Sequence, residues 1–272
     1  RGSKAGVGLY IVGRFGNLSY HHVSFTFSYE SRYLLVLLVD DDGGVGEFRV
    51  GKLLVQSARI HHHADLQSDI IAAAKKLEFA GFDGIQLSVG NNFFLSKFIN
   101  PYYNQRTDDY GGSVFNRMRM VLELIKVMKD NLDLHISCKV NSFDERKDGF
   151  DSAESIEVCK LLEKVGVDSI QVTRPLSPLY FTKKLSGEDD LLDYSKKLID
   201  SVNVSVIVGG GFNDIEHMNN ILNSTDIEFL SMYRPFVAEN DFLAKWKSGE
   251  CTKSRCLMCN NCYRTKKSVC YH

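Results

Sequence analysis

From about residue 64 onward, apolar positions along the chain follow two alternating periodicities. Segments with an apolar residue every three or four positions predict helices, over residues 65–80, 114–129, 153–165, 191–202 and 214–222. Short and nearly continuous apolar runs predict strands between them, over residues 84–88, 134–140, 168–172, 204–208 and 227–232. This alternation is typical of βαβ units around a parallel sheet whose strands are apolar on both faces. Periodicity alone fits either a doubly wound sheet or the later part of an eight-stranded barrel.

The first 63 residues have a less regular pattern. Apolar runs predict strands over residues 7–12 and 51–56. Residues 33–39 form either another strand or a buried helical turn, since a short apolar run does not distinguish the two. The sequence therefore defines the second part of the fold better than the first.

Composition limits the classes of function. The 272 residues are 44% hydrophobic and 25% charged, which is typical of a globular protein with a sizeable core. A net charge of −1 provides no basic excess for binding nucleic acid or a membrane surface. The longest apolar run is far shorter than the about 20 residues that span a bilayer, and no secretory signal is evident. We expect a small-molecule substrate as partner, and leave a homo-oligomer open.

The seven cysteines are unevenly distributed, and five of them lie in residues 251–272. An odd, clustered set does not suit a secreted disulfide framework, so we expect reduced thiols and a cytoplasmic location. Four have the spacing C-x2-C-x2-C-x7-C: Cys256, Cys259, Cys262 and Cys270. Such spacing favours a [4Fe–4S] cluster over zinc, and free structural cysteines are the remaining interpretation.

Ligands of parallel α/β proteins bind at the carboxyl ends of the strands. Glycines 209–211 end a predicted strand and precede a helix, where backbone N–H groups can approach a phosphate. Arg234, one strand later, can add a bidentate contact to the same phosphate. A plain tight turn is the alternative interpretation of the glycines.

Lys139 ends an apolar strand, where its charge must be paired or used. One interpretation is that it neutralises an anionic ring system. The other is a salt bridge to Asp144 or Glu145 in the next loop. The local sequence leaves both open.

Specific motifs occur in two stretches of the chain. Residues 104–113 read N-x-R-T-D-x-Y-G-G-S, and follow A-G-F-D-G-I-Q-L at residues 80–87. Later come S-M-Y-R-P-F at residues 231–236 and C-x-x-C-N-x-C at residues 256–262. With these motifs the chain resembles the old yellow enzyme family of FMN-dependent NADH:flavin oxidoreductases and ene-reductases. The resemblance implies an α/β fold, a (β/α)8 TIM barrel with FMN at the carboxyl ends of its strands.

The resemblance extends over about residues 64–262 and is faint before them. It divides the chain into degenerate or incomplete barrel strands (1–63), an FMN-binding barrel (64–250) and a cysteine-rich segment (251–272). Compared with the family, the first barrel strand and some loops are lacking. Either segments are omitted from this sequence or the protein is a degenerate relative, and we expect omission. The links near residues 56–65 are shorter than the dozen or so residues of a parallel crossover.

The resemblance also implies cofactor-binding residues. Gln56 matches the glutamine that binds the flavin pyrimidine edge. Lys139 takes the place of the basic residue near flavin N1 and O2, where positive charge stabilises the reduced ring. The phosphate site falls on Gly210, Gly211 and Arg234.

On the substrate side, Ser88 and Asn91 fall on the pair that binds the substrate carbonyl. Phe93 falls on a tyrosine that in many members donates the proton. Serine is a shorter donor than the usual histidine, and phenylalanine has no proton to give, so both positions depart from the family pattern.

The predicted function is an FMN-dependent oxidoreductase with NAD(P)H as reductant. It would transfer hydride from reduced flavin to an enone or enoyl thioester, and larger relatives pass electrons from an iron–sulfur cluster to FMN. One alternative is a catalytically weakened flavin- or phosphate-binding barrel with a sensory or interaction role. Another is an interaction module stapled by zinc.

Overall fold

The structure is a computed structural model that describes residues 63–79, 82–91, 94–144, 148–175, 188–264 and 270, and the backbone of four earlier strands. The predicted strand over residues 51–56, Gln56 and Phe93 lie outside the described residues.

From α1 onward strands alternate with one or two helices. The strands are β1 (Tyr10–Gly13), β2 (His22–Phe27), β3 (Leu34–Val39), β4 (Val45–Val50), β5 (Gly84–Ser88), β6 (His135–Asn141), β7 (Ser169–Thr173), β8 (Ser205–Gly209) and β9 (Phe229–Met232). The helices are α1 (His63–Phe79), α2 (Phe94–Ile99), α3 (Val114–Asn131), α4 (Ser152–Val165), α5 (Glu188–Ile199), α6 (Ile215–Ser224), α7 (Arg234–Ala238) and α8 (Phe242–Lys247). Each predicted helix and strand after residue 64 is present, with ends shifted by a few residues.

The nine strands that the structure describes belong to one sheet with the order β1-β9-β8-β7-β6-β5-β2-β3-β4. Strands β5 to β9 run parallel, and β2 pairs parallel with β5. Strands β2, β3 and β4 form an antiparallel meander, and β1 pairs antiparallel with β9. The run at residues 33–39 is therefore a strand, while β2 and β4 are strands that the pattern did not predict.

The two faces of the parallel strands differ in chemistry. One face packs against the helices and belongs to the hydrophobic core, with Ile136, Cys138 and Val140 of β6 among its members. Because side chains alternate along a strand, the other face carries the remaining positions. The polar residues of this face, called the polar face below, include Gln86, Ser88, Ser137, Lys139, Asn141, Ser169, Gln171, Thr173 and Ser231. The expectation of strands that are uniformly apolar is wrong for this face.

The N-x-R-T-D-x-Y-G-G-S motif builds a loop that is held by its own side chains. Asn104 Nδ2 donates to the carbonyls of Phe98 and Tyr110 at 2.6 and 2.7 Å. The Arg106 guanidinium pairs with Asp108. A Cβ on Gly111 would lie 2.0 Å from the Arg106 carbonyl oxygen, so only glycine fits there. The described contacts of this motif are thus structural.

Arg117 of α3 fixes this loop to the rest of the protein. Its buried guanidinium donates to the carbonyls of Ile99 and Gly112 at 2.8 and 2.6 Å. Its Nη2 also contacts both carboxylate oxygens of Glu154 on α4 at 3.0 Å.

None of the helices in the described part of the chain is long and apolar enough to cross a membrane.

Candidate active site at the carboxyl end of the sheet

Ser88 and Lys139 lie side by side where β5 and β6 end. They are paired in register across the two parallel strands, and Gln171 of β7 is the next residue in the same row. Ser88 is buried and Lys139 is half-buried. The topology therefore places two of the predicted site residues together at the edge of the sheet where ligands of parallel α/β folds bind.

The Lys139 ammonium group has no hydrogen bond or ion pair with any residue that the structure describes. Burial lowers the pKa of its ammonium group from 10.5 to about 8, because no acidic neighbour compensates for lost hydration. Asp144 instead accepts a hydrogen bond from the Asn100 side chain. The predicted salt bridge to Asp144 is therefore wrong, and Glu145 lies outside the described residues.

Asn91 follows β5 in the left-handed region of backbone conformation, with φ of 60°. Its backbone N–H donates to Asn141 Oδ1 at 3.1 Å. Its own Oδ1 is buried and has no hydrogen-bond partner, and the same is true of Ser142 Oγ. Buried polar atoms are rarely left unsatisfied, so these two indicate a place for a ligand or an ordered water.

A hydrogen-bonded chain crosses the polar face below these residues. Gln86 Nε2 donates to Gln171 Oε1 at 2.9 Å and contacts Ser137 Oγ at 3.3 Å. Gln171 Nε2 in turn contacts Ser231 Oγ at 2.7 Å. The sequence pattern did not predict this series of hydrogen bonds, although polar residues at alternate positions of apolar strands were the available signal.

The glycines after β8 adopt conformations that favour glycine. Gly210 and Gly211 have φ of 105° and 94°. The Gly210 N–H donates to the Ser231 carbonyl at 3.1 Å, and a Cβ on Gly210 would meet no atom within 4 Å. The turn thus leaves open space beside Gly210, as a bound phosphate would require.

Arg234 begins α7 directly after β9, one strand from the glycines. Its Nη1 donates to Asn260 Oδ1 at 2.6 Å, which directs the guanidinium toward the cysteine-rich segment. No described contact joins Arg234 to Gly210 or Gly211. Their common role at a phosphate stays a prediction.

The four C-terminal cysteines surround one small cavity. Its lining includes Arg234, Asn260, Cys256, Cys259, Cys262 and Cys270. Burial raises the pKa of the Cys256 and Cys262 thiols, and the positive charge of Arg234 partly opposes that effect. Within the described residues, no three His, Cys, Asp or Glu side chains are arranged to hold a metal ion. All seven cysteines are free thiols, and the metal-site prediction remains untested.

Comparison with known proteins decides the family. Residues 59–253 match the family described as NADH:flavin oxidoreductase / NADH oxidase. The chain belongs to this family. The resemblance to the old yellow enzymes is confirmed.

Two curated relatives illustrate the range of the family. The chain is 36% identical over 162 residues to NADH:flavin oxidoreductase FG08077 of Gibberella zeae, covering 53% of this chain and 39% of the relative. It is 27% identical over 253 residues to a cinnamate reductase of Clostridium sporogenes, covering 77% of this chain and 37% of the relative. The chain therefore spans well under two thirds of the length of either relative.

The fold is also shared with solved structures. A 2-naphthoyl-CoA reductase in complex with 2-naphthoyl-CoA superposes with a TM-score of 0.67 at 20% identity, over 82% of this chain and 34% of that chain. The predicted fold class, a TIM-barrel α/β fold, is confirmed. The division into three domains stays a prediction.

Proposed function

We propose that the chain provides the FMN-binding part of an NAD(P)H-dependent oxidoreductase that reduces an activated alkene, such as an enone or enoyl thioester. The proposal rests on polar groups at and just beyond the ends of β5 and β6 that have no hydrogen-bond or ion-pair partner among the described residues. Lys139 contributes an unpaired positive charge, and Asn91 contributes a buried oxygen without a partner. Membership of a flavin oxidoreductase family supports the same conclusion.

The residues present suit FMN. Lys139 offers a cation for the electron-rich edge of the flavin ring, since its charge has no other use within the described part of the chain. The open turn at Gly210 and Gly211 suits the phosphate, with the Gly211 N–H as the backbone donor, since the Gly210 N–H donates to the Ser231 carbonyl. When bound, FMN supplies the hydride chemistry, and the protein supplies position and charge.

On the substrate side, the Ser88 hydroxyl and Asn91 Nδ2 would donate to the carbonyl that activates the alkene, while the buried Asn91 Oδ1 would accept from an N–H of the ligand or from an ordered water. A hydrogen bond to that oxygen favours hydride addition, because negative charge develops on the oxygen as the carbon is attacked. The names of two similar proteins, a cinnamate reductase and a 2-naphthoyl-CoA reductase, support an unsaturated acid or thioester as the substrate class.

We propose a [4Fe–4S] cluster for the four thiols that line the C-terminal cavity, with zinc as the second candidate. Thiolate donors suit both. Within the described residues the thiols share the cavity without converging on one point, so binding would require them to move closer together. Seven free thiols also support a reducing compartment such as the cytoplasm.

A second candidate function is a flavin- or phosphate-binding barrel with little catalytic activity. The buried hydroxyl of Ser88 is a short donor, and Phe93 supplies no proton. This candidate predicts bound flavin without alkene turnover, which separates it from the first.

The experiment is an anaerobic spectrum of the purified protein before and after NADH or NADPH, followed by addition of 2-cyclohexen-1-one. We expect flavin absorbance that bleaches with one nicotinamide and returns with the enone. Bleaching without return would favour the second candidate, and absence of flavin would contradict both. Lys139→Met should weaken flavin binding, and Lys126→Met, an exposed lysine on α3, is the matched control.

A further inference from the structure

We infer that Asn141 is a further substrate-binding residue, which holds Asn91 in place through Oδ1 and donates to the substrate carbonyl through Nδ2. The inference rests on the proposed function, and it assigns a donor that the Ser88 and Asn91 pair does not include. Asn141 is the last residue of β6, is 5% exposed, and lies on the polar face two positions after Lys139.

The orientation of the Asn141 carboxamide is fixed chemically. The backbone N–H of Asn91 can only donate, so the atom that it meets at 3.1 Å must be the oxygen of Asn141. The amide nitrogen Nδ2 therefore occupies the other terminal position of the Asn141 carboxamide. Nδ2 donates to no described residue, and its two hydrogens remain for a ligand.

The neighbouring backbone is shaped around this carboxamide. A Cβ on Gly90 would lie 2.7 Å from Asn141 Oδ1 and 3.1 Å from its backbone nitrogen, so a side chain at position 90 would displace Asn141. The next residue, Asn91, takes the left-handed conformation and is held there by the bond to Oδ1. Asn141 and the turn after β5 thus form one unit.

Hydroxyl groups from the helices anchor Asn141 from behind. Ser155 Oγ of α4 donates to the Asn141 carbonyl at 2.7 Å, and lies 2.7 Å from the Tyr194 hydroxyl of α5. Since serine has one hydroxyl proton and gives it to the carbonyl, Tyr194 must donate to Ser155. This buried chain fixes the end of β6, so the carboxamide is held rigidly and is ready to bind without further ordering.

The proposed substrate has an acceptor that Asn141 Nδ2 would bind. A carbonyl oxygen accepts two hydrogen bonds. Asn91 would supply one of them, and because the short Ser88 side chain ends close to its strand, Asn141 Nδ2 competes with Ser88 for the other. The carboxamide of Asn141 reaches further and adds a neutral donor beside Lys139. A neutral carbonyl compound, rather than a cation, is the ligand that these donors select.

Two substitutions separate the positioning role from the donor role. Asn141→Asp keeps an oxygen for the Asn91 N–H but removes the Nδ2 donor. Asn141→Leu, of the same shape, removes both. The full chain with bound flavin is reduced anaerobically with dithionite and mixed with 2-cyclohexen-1-one, and flavin reoxidation is followed against enone concentration. Hydrogen exchange of the Asn91 amide is measured in each protein.

Both variants should retain flavin and raise the half-saturating enone concentration by roughly 3- to 10-fold, as expected for one lost hydrogen bond. Only Asn141→Leu should lose protection of the Asn91 amide. A half-saturating concentration unchanged in both variants would overturn the inference. So would a rise confined to Asn141→Asp, which would reflect its added charge alone.

The wild-type protein distinguishes this inference from the proposed function. Flavin bound without any saturable response to the enone would overturn the role of Asn141 and leave the flavin proposal standing. Protein without flavin would overturn the proposed function, and the donor role of Asn141 with it.

Discussion

Ser88 and Lys139 are direct neighbours across the parallel β5–β6 pair, and the lysine ammonium has no acidic partner within the described part of the chain. A half-buried charge without a partner destabilises the fold unless a ligand uses it. The pair therefore combines a cost in stability with a function, which is typical of binding sites.

The pH dependence of stability should report this cost. The folded pKa of Lys139, about 8, lies below its ordinary value of 10.5, so between these values the unfolded chain binds more protons. The free energy of unfolding should therefore rise with pH across this window. Below pH 8, Lys139→Met should stabilise the flavin-free protein by about 1–2 kcal/mol, after allowance for the partial exposure of the side chain.

Urea unfolding of wild type and variant at pH 7 and pH 10 checks this prediction. The stability difference should shrink at the higher pH, where the wild-type lysine is already neutral in the folded state. Lys126→Met is the control, since its exposed partner is Asp130 on the same helix. A difference that is the same at both pH values would contradict the assigned pKa.

Gly209→Ala should destabilise the protein, because the added methyl group would collide with side chains of the polar face. Its Cβ would lie 2.6 Å from Gln171 Nε2 and 2.9 Å from Ser231 Oγ, so the hydrogen-bonded chain must shift. We expect a loss of about 1–3 kcal/mol in the free energy of unfolding. Combining it with Gln171→Ala should relieve the clash, so the double variant should lose less than the two single losses added together. Strict additivity in denaturant unfolding would argue against this packing.

Arg117→Met should cost far more than loss of an exposed ion pair on the same helix. The substitution leaves Glu154 without its cation, and the carbonyls of Ile99 and Gly112 without their donor. Breaking a fully buried pair costs about 3–5 kcal/mol. Because the Glu154 side chain is 33% exposed, we expect a loss of about 2–3 kcal/mol here, whereas an exposed pair contributes about 0–1 kcal/mol. Thermal unfolding of Arg117→Met and of Lys126→Met compares the stability that each variant loses. Equal losses would refute the anchoring role of Arg117.

Cys262→Ala should remove bound iron and sulfide, and Cys251→Ala should not. Cys262 lines the C-terminal cavity with three further thiols, whereas Cys251 does not contribute to that lining. Metal and sulfide analysis of protein purified without oxygen gives the result. Zinc in place of iron would exclude the cluster, and equal metal content in the two variants would exclude this cavity as the site.

Local pattern was enough to predict the regular part of the fold. Amphipathic periodicity over a long helix such as α3, and a continuous apolar run such as β6, depend on neighbours within a few residues. Short helices escaped prediction because α2, α7 and α8 have only five or six residues, too few to repeat a pattern.

Local sequence was sufficient to predict the succession of βαβ units, the motif loop and the residues at the strand ends. Which of these residues meet follows from the three-dimensional fold. Gln86 and Gln171 are 85 positions apart, and Asn91 and Asn141 are 50 apart. Such pairs depend on strand order and register, which one-dimensional periodicity does not encode. The same applies to Arg234, whose contact with Asn260 follows from the path of the chain after β9.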